Sequence, residues 1–162
     1  MNILLTGHKG FIGNRLHAYL QAKDHSVIAM DILSGTDILT TDFPHNIHTV
    51  IHLAGLSGVR DSLSNPTNYW KTNVLGSQRI FDFYKEKYDS RIIYASSSTA
   101  YEPWRNPYAL SKYGMEQLEH PNSLGLRFTT VYGPGARETM LIPKILKNDI
   151  DYLNVNHSRD FI

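Results

Sequence analysis

Residues 2–13 read Asn2-Ile3-Leu4-Leu5-Thr6-Gly7-His8-Lys9-Gly10-Phe11-Ile12-Gly13. Asn2–Thr6 is a short apolar run of the buried-strand type, and Phe11 opens an amphipathic stretch of helical spacing. Glycines at 7, 10 and 13 fill the turn between them. They allow a tight turn, close approach of a pyrophosphate and tight helix–strand contact. The exposed N–H groups and the positive helix end then face the phosphates. A glycine pattern alone is weak evidence; the strand–turn–helix context carries the reading. Gly7, Lys9, Gly10, Phe11, Ile12 and Gly13 are therefore candidate dinucleotide contacts.

The rest of the chain repeats this alternation. Phe11–Ala22 is expected as a helix with Leu16, Tyr19 and Leu20 on one face. Ser26–Met30, Thr49–Leu53, Arg91–Ala95 and Leu124–Phe128 read as further strands. Pro66–Tyr88, Pro107–Glu119 and Thr139–Lys147 read as helices, the first two opened by a proline whose missing N–H is harmless there. Short apolar strands alternating with helices predict an α/β fold, a doubly wound parallel sheet of the Rossmann type. In the long helix, Trp70, Val74, Phe81, Tyr84 and Tyr88 form one stripe. Tyr69, Ile80 and Phe83 lie beside it, so the helix has two apolar faces. Either both are buried against the sheet, or the second meets a partner subunit.

The chain has 162 residues and a mass of 18.5 kDa, the size of one compact domain. Apolar residues make up 41% and charged residues 19%, enough for a core and unlike a disordered chain. A formal net charge of +1 argues against a general nucleic-acid binder. Without cysteine there is no disulfide scaffold, thiolate metal site or cysteine nucleophile. No stretch has the apolar length of a membrane span, and the N-terminus lacks a signal-peptide pattern, so a cytoplasmic location is expected. His45, His48 and His52 are closely spaced, but a strand end at His52 breaks helical ligand spacing. No metal site is expected.

Asp31 ends the second strand. A carboxylate there accepts hydrogen bonds from both adenosine ribose hydroxyls and repels a 2′-phosphate, which favours NAD over NADP. Lys9, a cation in the glycine turn, is the one residue placed to oppose that choice. Tyr108-Ala109-Leu110-Ser111-Lys112 sets a phenol and an ammonium on one helix face. A nearby cation favours phenolate. Such a pair exchanges a proton with an alcohol while hydride moves to or from nicotinamide. The preceding strand ends in Ser96-Ser97-Ser98, which makes the pair more specific than Tyr-x-x-x-Lys alone.

Taken in order, these motifs make the chain resemble the extended short-chain dehydrogenase/reductase family, in its NAD-dependent nucleotide-sugar epimerase and dehydratase branch. The resemblance runs through TGHKGFIG, Asp31, Asp37-Ile38, HLAG at 52–55, NPTNYWKTNVLGS at 65–77, YASSSTAY at 94–101, NPYALSK at 106–112, LRFTTVYGPG at 126–135 and RDFI at 159–162. It implies a Rossmann domain with tightly held NAD(P), a nucleotide-sugar substrate, a homodimer built on a four-helix interface, and a smaller C-terminal substrate domain. It also implies roles. Tyr108 is the acid/base, Lys112 tunes it and holds the nicotinamide ribose, and Ser97 holds the reacting sugar oxygen. Asp37 and Ile38 contact adenine. Leu53, Ala54 and Gly55 lie under the pyrophosphate and ribose. Asn73 orders the central helix and the neighbouring loop.

Some features depart from the pattern. His8 stands where a small residue is usual, HLAG replaces the commoner HLAA, and the interval from Ser97 to Tyr108 is short. The chain reaches its end at RDFI, where the family continues into its substrate domain, so residues 1–162 are expected to be an NAD(P)-binding domain with the substrate domain largely absent. Ser98 and Thr99 occupy the positions where sugar dehydratases carry Asp-Glu, and neither is a strong general acid or base. Gly58–Ser62 with Asn65-Pro66 resembles the UDP-sugar 4-epimerases. The resemblance therefore implies epimerisation at C4 through a 4-keto sugar. An NAD(P)-dependent keto-sugar reductase or dehydratase and a non-catalytic NAD-binding module are the alternatives.

Overall fold

The computed structural model describes residues 1–87, 90–118 and 121–147. Its elements are β1 (Asn2–Thr6), α1 (Phe11–Ala22), β2 (Ser26–Met30), β3 (Thr49–His52), α2 (Val59–Ser64), α3 (Pro66–Trp70), a π turn (Lys71–Leu75), α4 (Gly76–Lys87), β4 (Arg91–Ser97), α5 (Pro107–Glu116), β5 (Ser123–Phe128) and α6 (Leu141–Leu146). The chain divides into two compact units, Met1–Thr129 and Thr130–Ile162. The sheet lies in the first, and α6 in the second. Among the described residues, no helix is long and apolar enough to cross a membrane.

Five strands pair in parallel in the order β2-β1-β3-β4-β5. The sheet is doubly wound, as the alternation of strands and helices predicts. The chain leaves β1 towards β2, then crosses back to lay β3 on the other side. That reversal opens a crevice at the carboxyl ends of β1 and β3, where ligands of such sheets bind. Both faces of the central strands are covered. Leu4, Leu5, Val50 and Ile92 have no exposed surface, which is why these strands read as continuous apolar runs.

The core cluster packs Leu4, Val50 and Ile92 of the sheet with Ile80, Phe81 and Tyr84 of α4 and Met115 of α5. The loop after β2 adds Ile38, Phe43 and Ile47, and Tyr84 donates to the Pro44 carbonyl at 2.8 Å. Tyr69 and Ile80, from the apolar surplus of the long helix, are buried. Burial within this chain therefore accounts for them, and Trp70 remains 42% exposed.

Three local expectations are corrected, and one helix is added. The Pro66–Tyr88 helix is interrupted by the π turn; Tyr88 itself lies outside the described residues, as do Glu119 and the RDFI element. Tyr19 is exposed, with the Lys23 ammonium 5.8 Å from its ring centre. At 100° per residue it lies about 120° round the helix from buried Gly13, whereas Leu20 lies close to the same line. β4 continues to Ser97 rather than ending at Ala95, because β5 pairs with it as far as Phe128. The short α2 was not foreseen, since six residues give too little periodicity to read.

One buried polar relay spans the crevice floor. Ser77 Oγ donates to the Asn73 carbonyl at 2.6 Å, so its lone pair accepts from His52 Nε2–H at 2.8 Å. His52 Nδ1 must then accept from Thr6 Oγ1–H at 2.7 Å, and Thr6 Oγ1 accepts from the Ala54 N–H at 3.2 Å. Every proton has a place only if His52 is neutral and carries its hydrogen on Nε2. Burial, assisted by the Lys112 charge, pushes His52 down to about 3. Both ring nitrogens are committed, which leaves neither for a metal.

Between pH 3 and 6.5 the unfolded chain binds a proton at His52 that the folded chain refuses. The stabilisation is complete above pH 6.5 and is lost as pH falls, at up to about 1.4 kcal/mol per pH unit. Urea titrations at pH 7 and pH 5 should show a steeper loss for the natural chain than for His52→Gln, by about 2 kcal/mol. Equal losses would mean that His52 charges in the folded state.

Candidate active site

Gly7 follows β1 with φ of +76°, a conformation that glycine adopts without penalty. A Cβ there would lie 2.6 Å from the Ala54 nitrogen, and one on Gly13 would lie 2.0 Å from the Gly7 carbonyl oxygen. The glycines therefore press the β1 turn onto both the β3 loop and α1. Gly10 is the N-cap of α1 and provides no side-chain cap. A Cβ on it would meet only the Gly7 oxygen, at 3.2 Å. The result is an uncapped helix end with room beside it, which fits a pyrophosphate.

Asp31 stands beside the glycine turn at the end of β2. One carboxylate oxygen accepts from the Lys9 backbone N–H at 2.9 Å, the other from Leu33 N–H at 3.0 Å. Each oxygen keeps a lone pair for a ribose hydroxyl. Lys9 is thus tied to Asp31 through its backbone, while its residue remains exposed. His8 is accommodated by stacking edge-on against His17, with ring centres 5.3 Å apart, and by contact with Ser34 Oγ at 3.3 Å. Its buried Nδ1 has no hydrogen-bond partner among the described residues. Asp37 Oδ1 accepts from the Leu39 N–H at 2.9 Å, and the Ile38 carbonyl accepts from Arg79. The Ile38 side chain is buried and abuts Gly76, where a Cβ would lie 2.6 Å from Cδ1. Phe11 and Ile12 are half-buried at the start of α1, and Leu53 is half-buried after β3.

Gly55 joins this cradle to α5. A Cβ at Gly55 would lie 2.9 Å from Asn73 Oδ1 and 3.4 Å from Lys112 Nζ. Asn73 is buried in the π turn. Its Oδ1 accepts from Leu56 N–H at 2.7 Å, and its Nδ2 donates to the Leu56 carbonyl at 3.0 Å and to Ser111 Oγ at 2.9 Å. Ser111 Oγ donates in turn to the Tyr108 carbonyl at 2.8 Å. An unbroken polar path thus links the β3 loop to the turn that carries Tyr108.

α5 begins with Pro107 at its first turn, and Asn106 caps it by accepting from Ala109 N–H at 2.8 Å. The Tyr108 ring meets the Tyr69 ring edge-on, centres 6.1 Å apart. The Tyr69 hydroxyl lies 3.0 Å from both the Ser57 and Gly58 carbonyls. Lys112 is 6% exposed and donates from Nζ to the Ala95 carbonyl at 2.8 Å. Burial pulls the ammonium down to about 8, with Glu116 acting in the opposite direction. Ser97, at the end of β4, is buried and accepts from Thr99 Oγ1 at 2.9 Å and Thr99 N–H at 3.3 Å.

The structure therefore gathers Gly55, Asn73, Tyr108 and Lys112 about one junction. Sequence reasoning missed Ser77, Ser111, Glu116 and Tyr69 as its supports. Glu116 alone carried a signal, one helical turn beyond Lys112 on the same face.

The chain resembles known proteins over this whole region. Protein CapI of Staphylococcus aureus is 30% identical, with 99% of this chain and 65% of the relative covered. The UDP-glucuronate 4-epimerase of Thermodesulfobacterium geofontis is 29% identical over 89% of this chain and 60% of the relative. Among solved structures, MoeE5 in complex with UDP-glucose and NAD matches with a TM-score of 0.80 and 30% identity, over 91% of this chain and 60% of that one. The chain thus spans 60–65% of the length of these proteins. The profile of the NAD dependent epimerase/dehydratase family matches residues 3–162, which takes in the glycine turn, the β3 loop and the Tyr108–Lys112 helix alike, and the chain belongs to that family.

Proposed function

We propose that this chain is the cofactor-binding part of an NAD-dependent nucleotide-sugar epimerase acting at C4. The observation that carries the proposal is the Gly55 junction, where the dinucleotide cradle and the Lys112 ammonium come within contact of each other. The relatives include a UDP-glucuronate 4-epimerase and a protein solved with UDP-glucose and NAD, which supports a UDP-sugar as substrate.

NAD held in this cradle would supply reversible hydride acceptance at the sugar C4. Tyr108 takes the proton of the C4 hydroxyl as the C4–H bond breaks, leaving a 4-keto sugar, and gives it back after the sugar has turned. Lys112, one helical turn from Tyr108 on α5, holds the nicotinamide ribose and supplies the positive charge that favours negative charge developing on the substrate and the phenol. Ser97 orients the reacting sugar oxygen. Asp31 binds the adenosine ribose, Asp37 and Ile38 bound the adenine, and Gly7, Lys9, Gly10, Phe11, Ile12 and Gly13 hold the pyrophosphate with Leu53, Ala54 and Gly55. Asn73 keeps the β3 loop in place. Thr99 spends its hydroxyl on Ser97, and Ser98 opens the same tight turn. Neither offers the acid that eliminating water from the sugar requires, which argues against dehydration.

The same reading includes self-association. Trp70, Leu110 and Tyr113 are 42%, 46% and 38% exposed, within the segments 66–88 and 107–119 expected to pack against their symmetry mates in the dimer. Sedimentation at micromolar concentration should give twice the chain mass; an 18.5 kDa species would exclude the dimer.

Calorimetric titration should give tighter binding of NAD than of NADP, because Asp31 repels a 2′-phosphate. Tighter NADP binding would assign the choice to Lys9.

With UDP-glucuronate or UDP-glucose, Tyr108→Phe should lower turnover by about 10²–10⁴-fold while NAD affinity holds. Lys112→Ala should lower both. Unchanged turnover in Tyr108→Phe would exclude the acid/base role. Net consumption of NADH would identify a keto-sugar reductase instead, and NAD binding without turnover in the natural chain would identify a binding module.

A further inference from the structure

One charged group next to the site has no part in the reaction just described. The Glu116 side chain is 11% exposed and lies one helical turn beyond Lys112 on α5. Its carboxylate is bound from two strands. Ser96 Oγ donates to Oε1 from β4, beside Ser97. Arg127 of β5 donates from Nε to Oε1 at 2.9 Å and from NH2 to Oε2 at 2.6 Å. The Arg127 guanidinium stacks 4.0 Å from the ring centre of Tyr101, in the turn that follows Ser97.

Two links therefore fasten the end of β4 to α5: Lys112 Nζ on the Ala95 carbonyl, and Ser96 on Glu116. The residue after them, Ser97, inherits its position from both. The links also differ in charge. Lys112 reaches a neutral carbonyl and has no carboxylate in hydrogen-bond contact among the described residues, so the charge that balances it must act through space.

We propose that Glu116 is a positioning residue of this site, the anion that keeps buried Lys112 cationic and ties the end of β4 to the helix bearing Tyr108. The inference rests on the reading of Ser97, Tyr108 and Lys112 as the reacting set.

The other groups around the pair do not supply that charge. From β3, His52 is neutral and, if charged, would repel Lys112. From β4, Tyr94 is pushed up by burial and by Glu116, and so stays a neutral phenol. From β5, Arg127 is a cation. Tyr101 of the 98–101 turn lies over Arg127, and Asn73 of the π turn is uncharged. Tyr108 is the other titratable group on the α5 face. Burial would raise Glu116, but hydrogen bonds from Arg127 and Ser96, with the Arg127 and Lys112 charges, hold it below its ordinary range. The anion therefore persists throughout the neutral range, in which Lys112 must remain charged.

The test reads Lys112 directly in the unliganded full chain, by lysine ¹³Cε NMR against pH, with the signal identified by its loss in Lys112→Arg. The natural chain should titrate at Lys112 near pH 8. In Glu116→Gln, which preserves shape and removes charge, the midpoint should fall by about 1 pH unit. Glu116→Asp, which keeps the charge, should restore most of it even if both variants melt early. An unchanged midpoint in Glu116→Gln, or equal midpoints in the Gln and Asp variants, would overturn the proposal. If Glu116→Gln does not fold, the double variant Glu116→Gln with Arg127→Gln removes the arginine that would otherwise lose its carboxylate. The midpoint should fall below that of Arg127→Gln alone, and equal midpoints in those two variants would overturn the proposal. Because the measurement needs neither sugar nor turnover, it separates failure of this inference from failure of the epimerase reading.

Discussion

A single neutral imidazole closes the switch point of the sheet. Thr6 and His52 sit opposite each other at the last rung of the β1–β3 pairing, and the His52 ring passes the connection on through Ser77 to the Asn73 carbonyl. The crevice above holds two loops that must keep a fixed separation, the glycine turn and Leu53–Gly55. Ala54 N–H donates into the same relay. A buried polar group without a partner costs about 1–3 kcal/mol, so the relay stands complete or costs heavily. That sensitivity lets it define the crevice floor.

The π turn extends this constraint to α5. Its wider turn lies in the middle of a helix that otherwise runs from Pro66 to Lys87, and such bulges gather at functional sites. Asn73 lies within it, buried, with its side chain holding both backbone groups of Leu56 and the Ser111 hydroxyl. Its own carbonyl receives Ser77. One residue therefore ties the His52 relay, the β3 loop and the Tyr108 turn together. Glycine at position 55 matters for the same reason. A Cβ there would push against Asn73 Oδ1 at 2.9 Å.

α5 is where electrostatics and packing meet. Its apolar side puts Met115 in the core and lets Gly114 receive the Trp70 ring, 3.2 Å from where a Cβ would be. Its polar side carries Tyr108, Ser111, Lys112 and Glu116 at spacings of three and four. A lysine with 6% exposure is costly unless its charge is answered. Here the answer is divided between a carbonyl dipole and a carboxylate held in place by an arginine.

The sequence by itself determined the fold class, the family resemblance and the identity of the candidate set. Glycine spacing after an apolar run, Asp31 at a strand end and Tyr108 with Lys112 are local patterns, and local patterns survive in one dimension. Helix α1 and strand β2 were legible to the residue for that reason. Tertiary structure alone decided what supports them. Spacing argues against His52 as a ligand, but only the fold shows its two nitrogens serving Thr6 and Ser77, from β1 and α4. The π turn leaves no mark in composition, because Lys71–Leu75 contains no glycine or proline to announce a break in the helix. Ile80 could have faced a partner until the sheet covered it, and Tyr69 until Tyr108 and the loop after β3 met it. Ser96, Glu116 and Arg127 come from three separated elements, and only the pairing of β4 with β5 and the packing of α5 bring their polar atoms together. Burial and hydrogen-bond satisfaction are properties of that three-dimensional neighbourhood, so no spacing rule along the chain contains them.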